Sequence, residues 1–267
     1  MSEDMQQGCA GVAPQMDEQT RRVELLCHAA QLVLESGGET YRVEETVHRM
    51  AKGLGIEDVN VVAFPTSIFV EIQGRACVRR ISHRGTNMRR LVLTNDVSRQ
   101  TEHGQLSLAQ AERALDAVSR DPGIRQSLAI PACGLACGSF SLLVGGGLYA
   151  FVIAFVIGLL VQAAQPLFSR MTMGALVSNF CGGLFTAIFA QATQVVLPGM
   201  EVNAVIIGGI MPFLSGLLMT TAVRDTMYGD LVSGVARAVE ALLLATSVAL
   251  GVYVGLKLVA AMGGIWL

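Results

Sequence analysis

Between residues 21 and 36 apolar side chains recur at three- and four-residue steps (Val23, Leu26, Cys27, Ala30, Val33, Leu34), which predicts an amphipathic helix stopped by Gly37-Gly38. A second helix is predicted over 40–52, burying Val43, Val47 and Met50 and ending at Gly53 and Gly55. The period then changes. Val59–Phe64 and Ser67–Ile72 are rich in β-branched and aromatic residues around Pro65-Thr66, the pattern of a strand, a turn and a return strand, and Gly74 turns the chain into a third strand over 76–82. After Gly85 the pattern is helical again through Leu91, Val92 and 95–98, followed by a helix over 108–118. Ser107 and Gln110 are spaced as its capping box. Asp121-Pro122-Gly123 closes this first region, an α+β module of about a hundred residues, large enough to bury its own core.

Beyond residue 126 the polar positions nearly vanish. Hydropathy and breaks predict five membrane spans, at 127–144, 148–164, 173–196, 202–223 and 234–262, since about 20 apolar residues cross a hydrocarbon core as a helix. Gly145-Gly146-Gly147 makes a tight turn between the first two. The expected organisation is a mobile tail over 1–20, a soluble α+β domain over 21–125 and a membrane domain over 126–267: an α-helical multi-pass membrane protein with an amino-terminal cytosolic domain.

Charge sharpens this division. Only 15% of the 267 residues are charged, 52% are hydrophobic and the net charge is -2, a composition unlike an ordinary soluble enzyme and with no basic excess to suggest nucleic acid. All four histidines lie before residue 126, and the membrane region keeps only Arg170, Arg224, Arg237, Lys257, Glu201, Asp225, Asp230 and Glu240. The first twenty residues, with Glu3, Asp4, Asp17 and Glu18, lack the basic and apolar stretches of a signal peptide, so the soluble domain is expected in the cytoplasm. Arg125, Arg170, Arg224 and Arg237 then fall at cytoplasmic ends of spans, as the positive-inside rule requires, and Lys257 alone at the outer end. The carboxyl terminus is expected outside, with Trp266 as an interfacial anchor, and the location is the cell (inner) membrane.

Catalytic motifs are missing: there is no GxxxxGK[ST], GxSxG or HExxH, and the six cysteines and four histidines have no metal-ligand spacing. No cofactor, metal or enzymatic activity is expected. The basic group Arg79, Arg80, Arg84, Arg89 and Arg90 reads as a solvated face, with attraction of anionic metabolites or lipid headgroups as the alternative. Polar residues in the membrane region carry more information. The third span has small residues every four (Gly174, Ser178, Gly182, Thr186), which reads first as helix packing, with Asn179 and Gln191 beside them, whose unpaired amides would be costly in hydrocarbon. The fourth carries Gly208-Gly209, Pro212 and Gly216. It reads either as a kink or as a helix broken at membrane depth, as in many transport sites. Arg224, Asp225, Asp230, Arg237 and Glu240 join the last two spans, with Asp230 and Arg237 on one helical face and Glu240 continuing it. They read as a site for substrate or proton coupling, or as a structural salt bridge.

The run Gly37-Gly38-Glu39-Thr40-Tyr41-Arg42-Val43-Glu44, the stretch His83-Arg84-Gly85-Thr86-Asn87-Met88 and the late segment Met211-Pro212, Arg224-Asp225, Gly229-Asp230 and Arg237 resemble the threonine/serine exporter (ThrE) family. One soluble domain followed by one five-span set is similar to the shorter, YjjP-type members. The resemblance implies that these work with a smaller YjjB-type membrane subunit, whereas longer members fuse both halves. It further implies export of small hydrophilic metabolites, either threonine and serine or the dicarboxylate succinate. Glu39, Arg42, Glu44, Arg84 and Asn87 are then candidates in the soluble motifs, and Arg237 is the candidate contact for a carboxylate. The family's usual Pro-Gly in the fourth span is Pro212-Phe213 here. Two readings follow. In one, the chain forms half of a transport path with its partner or a second copy; in the other it is a non-transporting, membrane-anchored regulator that gates a partner.

Overall fold

In the computed structural model, residues 17–170, 174–197 and 199–263 are described. Trp266, most of the expected tail, Cys9 and the side chain of Arg170 lie outside the described residues. The chain divides after Asp121 into two compact units.

The first unit is built from helices α1 (Glu18–Glu35) and α2 (Thr40–Gly53), strands β1 (Val59–Phe64), β2 (Ser67–Ile72) and β3 (Arg75–Arg80), and helices α3 (Met88–Glu102) and α4 (Leu108–Ser119). The strands form an antiparallel meander in the order β1-β2-β3. Two-residue loops join them, and in the second Gln73 and Gly74 both take positive φ (52° and 80°), the conformation that matches the twist of a tight hairpin. Glu71 accepts hydrogen bonds from the Gly74 amide at 2.6 Å and from Asn60 at 2.7 Å, and these hold its carboxyl below the usual carboxylate range. One face of the sheet (Ile68, Val70, Ile72, Cys77) joins Leu26, Leu34, Val43, Val47, Met50 and Leu115 in a single apolar core. The other face carries Val62, Phe69 and Val78 in register across the three strands, exposed. Helix α3 begins at Met88, because Asn87 caps it by accepting from the Arg90 amide at 3.0 Å. The capping box of Ser107 and Gln110 is present at the start of α4.

The second unit is helical: α5 (Gln126–Leu143), α6 (Leu148–Arg170), α7 (Ala175–Val196), α8 (Val202–Ile210), a 3-10 turn (Met211–Phe213), α9 (Gly216–Met227) and α10 (Leu231–Gly263). Among the described residues four helices are long and apolar enough to cross a membrane, and α8 with α9 makes a fifth crossing if counted as one span bent by 57°. Helices α5 and α6 form a hairpin, α8 packs on α5, α6 and α7, and α7 lies along α10. That last contact depends on two glycines: a Cβ at Gly183 would meet the Val248 carbonyl at 2.4 Å, and one at Gly251 the Phe180 carbonyl at 2.1 Å. Without a hydrophobic effect in lipid, helix association rests on such close backbone approach. The small residues of the third span therefore serve two neighbours, Gly183 facing α10 and Gly182 facing the 3-10 turn.

The core of the first unit should respond as ordinary buried packing does. Leu26→Ala, at a fully buried position, is expected to cost about 2–5 kcal/mol, whereas Val78→Ala on the exposed sheet face should stay within about 0.5 kcal/mol. Hydrogen exchange of the α1 and β2 amides in the full chain measures both.

Candidate functional site

The interrupted span is the feature on which the second unit turns. Pro212 has no amide hydrogen and its ring clashes with the preceding turn, so α8 stops, three residues run as a 3-10 turn, and Leu214 is extended (φ -82°, ψ 110°) before α9 begins. The break prevailed over a simple kink. It interrupts the backbone ladder, and the Asn179 side chain on α7 donates from Nδ2 to the Phe213 carbonyl at 3.2 Å. Thr186, two turns further along α7, donates to the Gly182 carbonyl at 2.8 Å.

Beside the break lies a cavity of about 230 Å³ between α6, α7 and the 3-10 turn. Its polar lining is Gln162, Gln165, Ser178, Asn179 and Cys181, and its apolar lining includes Leu160, Val161, Phe185, Pro212 and Phe213. Gln162 Nε2 donates to the side-chain Oε1 of Gln165 at 2.8 Å, which leaves further amide groups of the pair available to a guest. Size, mostly apolar walls and a few convergent polar groups are what a small-molecule site requires.

A second polar centre joins α9 to α10. Arg237 Nε and Asp225 Oδ2 stand 3.0 Å apart with side-chain exposures of 3% and 0%, aligned as an ion pair rather than as a straight hydrogen bond. Gly234 lets the helices approach this closely, since a Cβ there would meet Thr226 Oγ1 at 2.1 Å and the Ala222 carbonyl at 2.9 Å. The connecting turn is closed by the Asp230 amide donating to the Asp225 carbonyl at 2.8 Å, with Gly229 at φ 96°.

Asn179 and Pro212 thus meet at the cavity, and Asp225 and Arg237 meet at the ion pair. Arg237 pairs with Asp225 on the neighbouring helix. Asp230 and Glu240 are half-buried, Arg224 is exposed, and half-buried Gln191 is not among the described residues lining the cavity. Gln162, Gln165, Cys181 and Phe213 were not foreseen as site residues. The two glutamines did have a signal, being polar residues three apart in an otherwise apolar helix.

In the first unit the two motifs come together. The Gly85 amide donates to the Glu35 carbonyl at 2.9 Å and the Asn87 amide to the Ser36 carbonyl at 3.1 Å, so the turn before α2 is stitched to the start of α3. Buried Glu39 pairs with Arg42 at 2.9 Å, and Arg42 also donates to the Tyr41 hydroxyl at 3.3 Å, which raises its pKa further. Glu44 is half-buried and Arg84 exposed. The arginines are mostly structural ties: Arg79 reaches Glu24 and donates to Gln31 at 2.9 Å, Arg89 pairs with Asp121 at 3.0 Å, and Arg90 donates to the Ser119 and Asp121 carbonyls. Arg21, Glu24, His28, Arg79, Glu112 and Asp116 line an open surface groove. Among the described residues no group of three or more metal-ligating side chains converges.

These observations define a helical multi-pass membrane protein with a partly polar cavity at a broken span. The family described as "Putative threonine/serine exporter" matches residues 24–259, and the chain belongs to this ThrE family. It is 25% identical over 250 residues to a "Probable threonine/serine exporter" of Mycobacterium tuberculosis, covering 90% of this chain and 47% of that protein. A "Threonine/serine exporter" of Corynebacterium glutamicum is 23% identical over 248 residues, 88% of this chain and 51% of that protein. The "Probable succinate transporter subunit YjjP" of Escherichia coli is 25% identical over 248 residues, covering 90% of this chain and 96% of that subunit. The chain therefore spans about half the length of those exporters and nearly all of the succinate subunit. No solved structure matches it.

Two outcomes follow from the geometry. Removing one member of a buried ion pair costs about 3–5 kcal/mol, whereas apolar replacement of both is often neutral. Asp225→Leu and Arg237→Met should therefore each lower the thermal unfolding midpoint in detergent, and the double variant should recover most of the loss. In the first unit, burial pushes the His28 pKa below its ordinary value, outweighing Asp116 3.8 Å away. The unfolded chain then takes up the proton first, so stability falls as pH drops below about 6.5. A pH series of unfolding midpoints should show that His28→Asn flattens this limb.

Proposed function

We propose that the chain is one subunit of an inner-membrane exporter for small hydrophilic metabolites, a dicarboxylate such as succinate or the amino acids threonine and serine. It works with a smaller YjjB-type membrane subunit or a second copy of itself, with its α+β unit in the cytoplasm and its carboxyl terminus outside. The observation that carries the reading is the polar cavity at the interrupted span. Hydrocarbon tolerates broken backbone chiefly where it is buried in protein or lines a water-filled cavity. The near-complete coverage of the succinate subunit and the half coverage of the longer exporters support a subunit that needs a second membrane piece.

Electrostatics separates the two substrate classes. Each charge crossing the membrane exchanges about 2.3 kcal/mol per 100 mV, so an interior-negative potential expels a dianion with roughly 4.6 kcal/mol per 100 mV. A zwitterion gains nothing, and its uphill export needs a coupled ion. Asp225, Asp230 and Glu240 are the carboxylates available for proton coupling, with Arg224 beside them at the end of α9. Arg237 suits a substrate carboxylate by its bidentate geometry. It already holds Asp225, so a substrate would reach it only by displacing that carboxylate. Asn179 and Gln191 supply neutral polar groups on α7, and Pro212 keeps the span broken.

Reconstitution with and without the partner, followed by efflux of labelled succinate, serine and threonine, tests the proposal. Efflux should require this chain and fall at least tenfold in Asn179→Ala and Arg237→Lys at equal expression. Unchanged efflux when the chain is omitted rejects transport in favour of the regulatory reading.

A further inference from the structure

We infer that the Phe213 side chain is a shutter over the cavity, with Gly182 as its seat and the Asn179 amide as the tether that holds it closed. The inference rests on the reading of this cavity as a solute site, and it names the residue that controls entry.

The seat is unusually tight. A Cβ built on Gly182 would lie 2.0, 2.3 and 2.6 Å from Phe213 Cζ, Cε1 and Cε2, so the outer edge of the ring occupies the place a side chain would take on α7. Only glycine at 182 admits the ring in this position. The same ring is part of the cavity wall, next to Cys181 and Asn179. Its backbone lies in a three-residue 3-10 turn between two helices, followed by extended Leu214, where few dihedral angles need to change for the ring to leave. The Asn179 side chain donates from Nδ2 to the Phe213 carbonyl at 3.2 Å and ties the turn to α7. Thr186, which takes the Gly182 carbonyl one turn away, is a second local irregularity in α7 at the seat, since such back-bonding tends to bend helices.

A ring seated on glycine and hinged on a short irregular turn has two positions. In one it fills the wall between α7 and the break; in the other it swings off Gly182 and leaves Cys181 and Asn179 facing water.

Cys181 supplies a direct readout that does not depend on transport. Full-length protein in proteoliposomes is treated with a water-soluble, membrane-impermeant methanethiosulfonate reagent, and modification is read cysteine by cysteine by mass spectrometry. In Phe213→Ala, which removes the shutter, and in Gly182→Ala, which removes its seat, the Cys181 rate should rise at least tenfold over the native chain. Phe213→Leu, which keeps an apolar side chain of intermediate bulk, should fall between. Cys133 and Cys137 on α5 should keep their native rates and serve as internal controls. An unchanged Cys181 rate in both alanine variants overturns the shutter, and so does a parallel rise at Cys133 and Cys137, which reports general loosening. Loss of efflux requirement with these labelling changes intact would remove the exporter reading and leave the shutter standing; intact efflux with unchanged labelling would do the reverse.

Discussion

A backbone carbonyl freed inside hydrocarbon has no water to turn to, and that constraint organises the second unit. Pro212 breaks the ladder between α8 and α9, and the consequences can be followed outward from it. An amide on the neighbouring helix takes up the Phe213 carbonyl, that helix carries glycine where the ring must seat, and a cavity with a few polar groups in mostly apolar walls lies between α6, α7 and the turn. Leucine at position 179 or alanine at 182 would disturb the repair at once. Helices α5 and α6 surround the break without being broken themselves, which gives the irregular segment a rigid frame.

The two units are held together by different physics. In the first, burial of Leu26, Leu34, Met50, Ile68 and their neighbours against one sheet face is a solvent-driven core, and the charged residues around it are tied in pairs at its surface. The opposite sheet face exposes an apolar row, Val62, Phe69 and Val78, between polar neighbours such as Asn60 and Glu71. In the second, lipid is as apolar as the side chains, so cohesion comes from close approach at glycines and from polar contacts. The Asp225–Arg237 pair is the sharpest example. Two desolvated charges are costly, and the geometry that makes them tolerable, a 3.0 Å separation with Gly234 at the crossing, also fixes α9 against α10.

Periodicity and turn chemistry made most elements legible in the sequence. The helices over 21–36 and 40–52, both hairpin turns and the capping box at Ser107 are local signals, and local signals survive folding. Boundaries moved where a side chain decided them, as Asn87 did in starting α3 at Met88. What could not be read was pairing across elements. The charged cluster over 224–240 is legible, but i+3 and i+4 steps do not fix the 3.0 Å contact of Arg237 with Asp225, twelve residues back across a turn. The choice between kink and break was likewise undecidable from Pro212 alone, because it depends on Asn179 reaching the freed carbonyl. Gln162 and Gln165 were legible but overlooked, being outweighed by the apolar residues around them.

One helix, α9, spans the distance between the two polar centres. Helix α9 runs from the break at Gly216 to the ion pair at Asp225, nine residues or about 14 Å of helix. A helix of that length moves as a rod, so a change of angle at the 3-10 turn has to be absorbed at the α9–α10 crossing. There Gly234 leaves no room for sliding unless the Thr226 side chain shifts. Conversely, a change in the charge of Asp225 alters what holds the far end of the rod.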